Sequence, residues 1–382
     1  MTKKKKKDKK KGFWAKLAER EIKKINDFQD DHELFILNQE EVQTLKEIRT
    51  RTFIKAAIAG ALGVIVLYMP YHWFGQTLFP TRTILLPSNP IYNGTVDLEI
   101  EFIAYSIVLV MIEIWYLTYI NIKAVSGIAQ VCGHPNPTDE NYDHNLQALI
   151  AVGLERKHKE LKKIGINPYE GLNKIGVVLF QFLLRLKATA SNMFFRMVMK
   201  RALGRFALRL VLDMLGIPVY AFWNVWGARK VMNEARIRVM APPLIKRCAD
   251  LLWEEQKDNP EFRKHLYDAL QLISESKRSF HYNHFLLSIT LLNKFDIEIR
   301  EEPNYNPNFL EEIPSLNEKT REGIQKLYIF GIMIDGRISL RELKAVRFLI
   351  DKDVLPYSEQ EIKLWANDYF NGKGIEAFFA RA

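Results

Sequence analysis

Two long runs of apolar residues dominate the hydropathy pattern of the chain. Residues 56–79 form 24 consecutive positions without Asp, Glu, Lys or Arg, and residues 102–122 form a second apolar run. A helix needs about 20 apolar residues to cross the hydrocarbon core of a bilayer. Both runs therefore predict membrane-spanning helices, which together form a two-span hairpin. Pro70 predicts a kink in the first helix because it lacks a backbone N–H donor.

The second predicted span contains one carboxylate, Glu113, near its centre. A central carboxylate costs about 2.5–3.5 kcal/mol on the insertion scale. The eleven Ile, Leu, Val and Phe residues of this span each contribute about 0.3–0.6 kcal/mol in favour of insertion. The net free energy of insertion is therefore near zero or favourable. An acid inside a membrane either takes part in ion movement or pairs with another polar group. We favour pairing, for example with His72 of the first span.

Two further apolar segments are predicted not to cross the membrane independently. Residues 175–186 number only 12, which is too short for a span. Residues 206–226 are longer, but placing the charges of Arg209 and Asp213 in the membrane costs about 5–7 kcal/mol of insertion free energy. The apolar residues of the segment contribute only about 3–6 kcal/mol in favour of insertion. Arg209 and Asp213 are four positions apart and can pair on one helix face. The pattern predicts a buried or half-immersed helical hairpin that breaks at 216–218.

The charged residues are distributed unevenly within a formal net charge of +10. Residues 1–55 have a net charge of +6 and residues 171–240 one of +10, whereas the connection 80–101 contains a single basic residue, Arg82. Basic residues concentrate on the cytoplasmic side of membrane proteins. We therefore expect both termini in the cytoplasm and residues 80–101 outside, in the inner membrane of a bacterium.

The basic zones predict contact with anionic lipid. Eight lysines stand within the first eleven residues, and an aromatic-led amphipathic stretch follows them, a combination that favours acidic headgroups. A solvated tail without a partner is the alternative. No nucleic-acid-reading motif is found. The residues expected at the membrane surface are Trp14, Lys16, Arg196, Lys200, Arg201, Arg205, Arg229 and Lys230.

The remainder of the chain has helical periodicity, which predicts an all-α fold with cytoplasmic helical domains. We expect a basic N-terminal tail, the hairpin, a first helical domain, a linker rich in Pro and Asn, and a second helical domain. Ser358 and Glu361 have the spacing of a capping box. The expected boundaries are 1–52, 53–123, 124–300, 301–319 and 320–382.

The middle of the chain resembles the EcsC family of bacterial proteins. Residues 120–154 contain a helix ending near a glycine, a short acidic linker and a helix rich in Ala and Leu, and 196–240 resemble the apolar "P-x-x-G-x-x-x-N" segment with its basic helix. Phe222 and Trp223 stand where the family is usually small and rich in glycine. The resemblance implies a helical fold and a setting beside an ABC transporter rather than a reaction. The matching positions are Ile128 to Gly133, Asp139, Leu146 to Gly153, Pro218, Asn224, Arg229 and Ala235.

Residues 320–375 resemble the helical TerB-like fold. Asp335 and Gly336 are expected in a turn between helices, with Glu342 near the start of the next helix. In a calcium loop formed by the same segment, Gly331 and Met333 would occupy the first and third ligand positions. Neither residue supplies a carboxylate, so a complete oxygen cage is not predicted.

No motif for catalysis, cofactor binding or metal binding is found in the sequence. A phosphate-binding glycine loop, a serine nucleophile elbow and an HExxH motif are all missing. His281 and His284 form only two ligands of any metal site, and Cys132 fits a small buried apolar residue.

The sequence thus favours a non-catalytic membrane adaptor that binds an unidentified protein, for example a transporter or envelope assembly. One alternative is a lipid-handling enzyme that uses residues 196–238. A second is an ion-coupled homo-oligomer built around Glu113.

Overall fold

The computed structural model is all-α, as the sequence predicts. It describes residues 13–23, 37–85, 95–135, 142–153, 214, 216–277, 281–299, 305–336 and 338–381. Within these residues the helices are α1 (Phe13–Lys23), α2 (Gln39–Leu78), α3 (Ile100–Val131), α4 (Tyr142–Gly153), α5 (Gly216–Gln256), α6 (Pro260–Lys277), α7 (Tyr282–Lys294), α8 (Phe309–Glu312), α9 (Glu318–Met333), α10 (Leu340–Asp351), α11 (Glu359–Asn371) and α12 (Glu376–Arg381).

The described residues divide into two compact units. The first, here called the hairpin unit, consists of residues 46–85, 95–124 and 214–232. The second, the bundle unit, contains α1, α4 and α6 to α12 together with residues 37–45, 125–135 and 233–256. One boundary between the units lies between residues 124 and 125.

Among the described residues, two helices are long and apolar enough to cross a membrane. They extend over Gln39–Gly75 and Ile100–Val131, and each has a mean hydropathy of 1.9 over its most apolar window. Both predicted spans, 56–79 and 102–122, lie almost entirely within them. The connection between the two helices forms a short antiparallel ribbon, β1 (Arg82–Leu85) paired with β2 (Thr95–Leu98).

Pro70 does not interrupt α2, contrary to the predicted kink. The break in helical geometry lies four residues later, at Phe74, where φ is −130° and ψ is 20°. A proline at position 70 removes the N–H that would bind the carbonyl of Val66. The Tyr105 hydroxyl of α3 donates a 2.7 Å hydrogen bond to that carbonyl instead. The neighbouring helix thus satisfies a backbone group that would otherwise be costly in hydrocarbon.

The outer sides of the two long helices are apolar and exposed. On α2 the exposed side chains recur every three or four residues, so they lie along one face. On α3 they include Ile107, Met111 and Ile114. The exposed apolar residues of α2 are Ile54, Ile58, Leu62, Val66, Met69 and Trp73.

Helix α9 is the centre of the bundle unit. Its apolar residues are buried around almost the whole circumference, from Ile324 to Met333, as expected for a helix enclosed by others. A Cβ atom at Gly331 would lie 2.5 Å from the Cδ1 atom of Ile273. The absence of a side chain at this glycine therefore allows α6 and α9 to pack closely.

Two capping boxes fix the helices that follow α9. Ser358 and Glu361 form the predicted box at the start of α11. Ser339 and Glu342 form a second box at the start of α10. Each box satisfies two backbone N–H groups reciprocally, which defines where the helix begins.

Residues 301–319 do not separate two compact units, contrary to the predicted linker. Their described part contains α8 and a short 3₁₀ turn, Ile313–Ser315. Phe309 is buried and stacks on His265 with 5.4 Å between the ring centroids. The backbone N–H of Asn306 donates to Asp268 at 2.8 Å. These contacts join the segment to α6, so residues on both sides of it belong to the bundle unit.

Candidate functional site

A polar contact lies between the helices of the hairpin unit. The Asn224 amide of α5 donates a 2.7 Å hydrogen bond to Oε1 of Glu113. Glu113 is flanked on α3 by exposed apolar residues, and it lies ten residues before Lys123, about 15 Å along the helix. The contact therefore lies deep within the apolar part of this unit.

The hydrogen-bond partner of Glu113 is Asn224 rather than His72. The Oε2 atom of Glu113 lies 3.5 Å from the position of a Cβ at Gly63. His72 follows nine residues later on the same helix, which separates the two levels by about 13 Å. Glu113 thus pairs with a polar group, but with one on a third helix that is 111 residues away in sequence.

The third helix approaches α2 through a glycine. A Cβ at Gly60 would lie 2.7 Å from the backbone carbon of Tyr220 and 2.8 Å from the nitrogen of Ala221. Such backbone contact is possible only with the smallest residues, as in other membrane helix pairs. One turn below, Ala56 packs in a buried cluster with Ala228 and Ile120.

One end of the hairpin unit has a cation above an aromatic ring on each of the three helices that the structure describes there. The pairs are Arg49 over Phe53 at 5.3 Å, Lys123 over Tyr119 at 5.6 Å and Lys230 over Trp226 at 5.3 Å from cation to ring centroid. Aromatic residues with adjacent cations are typical of a membrane interface. Arg229 and Lys230 are both exposed, and their place at the membrane surface stays a prediction.

The opposite end of the hairpin unit has aromatic contacts and an ion pair. The rings of Tyr71 and Phe102 lie 4.6 Å apart, and Phe79 packs on Phe102 at 5.4 Å. The Tyr71 hydroxyl donates to Glu99 at 3.1 Å, and Arg82 forms an ion pair with Glu101. These contacts hold the connection against the ends of α2 and α3.

The predicted amphipathic helix at the N-terminus packs within the bundle unit. Helix α1 buries Ala18 and Ile22, and Ser126 donates a 2.9 Å hydrogen bond to the carbonyl of Glu21. Lys16 is exposed and Trp14 is partly exposed. The amphipathic pattern thus describes a helix whose apolar side contacts protein.

A buried ion cluster lies in the bundle unit. The Lys277 ammonium lies 2.5 Å from Oδ1 of Asp335 and 2.8 Å from Oε1 of Glu342. The Glu342 side chain is fully buried. Burial raises the pKa of Glu342, although Lys277 acts in the opposite direction. The Lys277 ammonium therefore lies between Asp335 and Glu342, the two carboxylates of the segment considered as a calcium loop.

The two histidines of the HYNH segment are structural. Glu234 Oε1 lies 3.1 Å from His281 Nε2 and accepts a 2.7 Å bond from Arg238. Burial alone would raise the pKa of Glu234, but His281 and Arg238 hold it well below its usual range. Burial, with His281 and Lys277 nearby, holds the pKa of His284 well below its usual range. The neutral His284 ring lies with Nε2 2.9 Å from the Gly331 carbonyl.

Two backbone carbonyls are joined by polar side chains at the same level of the bundle. Asn283 donates to the carbonyls of Ile237 and Ile334 at 3.2 and 2.6 Å. The Tyr369 hydroxyl lies 2.9 and 3.0 Å from the same two oxygens. Ile334 ends α9, where carbonyls lack helical partners. The polar groups therefore hold α5, α7, α9 and α11 together.

Both cysteines are buried, as expected for small apolar residues. Burial, together with Glu41, raises the pKa of Cys132 to about 12. Burial also raises the pKa of Cys248 well above its usual range. Both thiols are therefore protonated near neutral pH and unsuited to nucleophilic chemistry.

Several predicted site residues lie outside the described part of the chain. The sequence reasoning missed the role of Asn224 and the partners of Lys277, because both contacts join residues far apart in sequence. Only the Ser339-x-x-Glu342 spacing could have identified one member of the ion cluster. The residues outside the description are Arg196, Lys200, Arg201, Arg205, Arg209 and Asp213.

Comparison of the chain with protein-family models, curated proteins and solved structures finds no match. The EcsC-like and TerB-like resemblances therefore stay predictions.

Proposed function

We propose that the protein is a non-catalytic adaptor of the bacterial inner membrane. In this proposal α2 and α3 cross the bilayer with the connection 80–101 outside, and the bundle unit binds a protein partner in the cytoplasm. The observation that carries the proposal is a contrast between the two units. The hairpin unit exposes apolar helix faces, whereas in the bundle unit the buried charges of Lys277, Glu342 and Arg238 are paired within the unit.

The internal pairing of the bundle unit supports a binding role over a catalytic one. Catalytic acids and bases need a partner in the substrate and access to it. Lys277 is bound by two carboxylates, and Glu234 is bound by His281 and Arg238. These interactions stabilise helix packing. They also engage the acidic and basic side chains that acid–base catalysis would need for a substrate.

The basic end of the hairpin unit supports the proposed orientation and an anionic lipid partner. Basic residues near the ends of spans set orientation, and each contributes about 1 kcal/mol of attraction to an acidic surface. On the proposal, Lys55, Lys123, Arg229 and Lys230 lie at the cytoplasmic headgroups.

The alternatives receive less support. The Glu113 carboxylate is bonded to an amide of the same chain, which favours helix packing over ion movement. The lipid-handling hypothesis depends on residues 196–238, of which 196–213 lie outside the described residues.

Site-specific photocrosslinking in native membranes tests the adaptor proposal. Leu340 and Leu364 of the bundle unit are large apolar residues with exposed fractions of 81% and 57%. We expect a photoreactive amino acid at these positions to give a discrete protein adduct. A photoreactive residue at Ile107 of α3 is the matched control and should crosslink to lipid. Absence of a protein adduct at Leu340 and Leu364, with lipid crosslinking intact, would contradict the adaptor role.

A further inference from the structure

The first part of α5 packs beside α2, within the length over which α2 and α3 are apolar. Gly216 packs on Val64, since a Cβ there would lie 3.4 Å from a Val64 methyl carbon. Tyr220 lies against Gly60, and Ala228 packs with Ala56. The residue numbers fall on α5 as they rise on α2, so the two helices are antiparallel.

The contacts fix how far α5 reaches into the hairpin unit. Val64 is nine residues beyond Lys55, or about 13 Å along the helix. The hydrocarbon core is about 30 Å thick, so Gly216 lies near its middle if α2 spans the bilayer. Residues 216–228 contain no Asp, Glu, Lys or Arg, and Arg229 and Lys230 follow at the level of Lys55.

The side-chain amide of Asn224, in the part of α5 without charged residues, has a hydrogen-bond partner within the protein. An unpaired amide in hydrocarbon would cost several kcal/mol, but Asn224 donates to Glu113. The insertion free energy summed over residues 206–226 treats the segment as isolated. It therefore includes neither this hydrogen bond nor the close approach to α2 at Gly60. Docking on α2 and α3 thus removes part of the cost that an isolated segment would bear.

The side of α5 that faces away from α2 is aromatic and exposed. Phe222 and Trp226 have exposed fractions of 58% and 41%. Phe222 stacks on Trp226 with 6.1 Å between ring centroids. Large aromatic residues side by side in water would form a costly apolar patch, whereas acyl chains would solvate them.

We infer that residues 216–228 form a third membrane-penetrating helix, whose outer surface of Phe222 and Trp226 contacts lipid acyl chains. The helix is about 20 Å long, so it enters the hydrocarbon without crossing it. The Glu113–Asn224 hydrogen bond fixes it to the hairpin. This inference rests on the proposed membrane placement of α2 and α3.

Spin-label accessibility in proteoliposomes tests the inference on the full chain. Phe222→Cys, labelled with a nitroxide and reconstituted in anionic phospholipid, reports its relative exposure to oxygen and to a water-soluble nickel complex. Met111→Cys on α3 provides the reference for hydrocarbon, and Leu340→Cys on the bundle unit provides the reference for water. Unmodified protein gives the background, since both native thiols are buried. Trp226→Cys is a second position for use if Phe222→Cys does not fold.

We expect the label at 222 to shift toward oxygen exposure and away from nickel exposure, as at 111. A label at 222 with the nickel exposure of 340, while 111 is shielded, would overturn the inference and leave the proposed hairpin intact. Nickel exposure at 111 itself would overturn both the membrane placement and the inference that rests on it.

Discussion

Replacing Lys277 with methionine should destabilise the bundle unit by about 4 kcal/mol at pH 7 and by about 1 kcal/mol at pH 5. The substitution leaves Asp335 and Glu342 buried side by side without their cation. Loss of one partner from a buried ion pair costs about 3–5 kcal/mol. Methionine preserves most of the apolar stem of lysine, so the change tests charge more than volume.

The magnitude follows from protonation of one carboxyl. Glu342 is the group expected to take the proton, since burial and Asp335 both raise its pKa. Keeping a glutamic acid protonated at pH 7, against an unfolded pKa of about 4.3, costs about 1.36 kcal/mol for each of about 2.7 pH units. At pH 5 the same calculation gives about 1 kcal/mol. Because the folded pKa in the variant is raised, the variant loses stability as the pH rises from 5 to 7.

Hydrogen exchange of the full chain in detergent measures this difference. Amides of α9 and α10 in Lys277→Met should exchange about 500-fold faster than in the unmodified protein at pH 7, and within about tenfold at pH 5. Comparison at equal pH cancels the intrinsic exchange chemistry. Lys294→Met, which removes a partly exposed pair with Asp250, is the matched control and should cost less than about 1 kcal/mol. Unchanged protection at pH 7, or a deficit that is the same at both pH values, would refute the reasoning.

Three further substitutions test the hairpin unit. Gly60→Ala should weaken the packing of α5 and lower the melting temperature in detergent, whereas Gly75→Ala, which has no atom within 4 Å of its Cβ, should not; equal effects would contradict the close approach. Glu113→Gln should preserve assembly because an amide can still accept a hydrogen bond from Asn224. Glu113→Leu should remove that bond and make α5 sensitive to protease. Loss of ion flux in a well-assembled Gln variant would instead favour an ion-coupled role. Tyr105→Phe should destabilise the unit by about 1–3 kcal/mol, measured by thermal melting, because it removes a donor to a carbonyl that Pro70 leaves unpaired; no change would contradict that account.

The long-range contacts mark the limit of what the sequence predicts. The two long apolar helices could be predicted because an apolar run of about 20 residues with at most one charge has few other stable environments. The α11 cap could be predicted because its two residues are only three positions apart. The partner of Glu113 could not be predicted, since Asn224 is 111 residues away. The kink was placed at Pro70 because the sequence does not show that Tyr105 replaces the missing donor.

The unity of the bundle unit was missed for a similar reason. Proline and asparagine in 301–319 suggested a linker, because these residues favour turns. The contacts of Phe309 with His265 and of Asn306 with Asp268 depend on the position of α6, which local composition does not encode. The ion cluster likewise joins Lys277 to residues 58 and 65 positions later.

Topology mapping by reporter fusion tests the central claim most directly. Fusions of an enzyme that is active only outside the cytoplasm are placed after residue 50, after Asn89 and after residue 382. The account predicts activity only for the fusion at Asn89, since α2 and α3 each cross the bilayer once and the basic ends stay in the cytoplasm. An inactive Asn89 fusion in a stably expressed protein would contradict the two-span hairpin, and activity at either of the other two positions would contradict the proposed orientation.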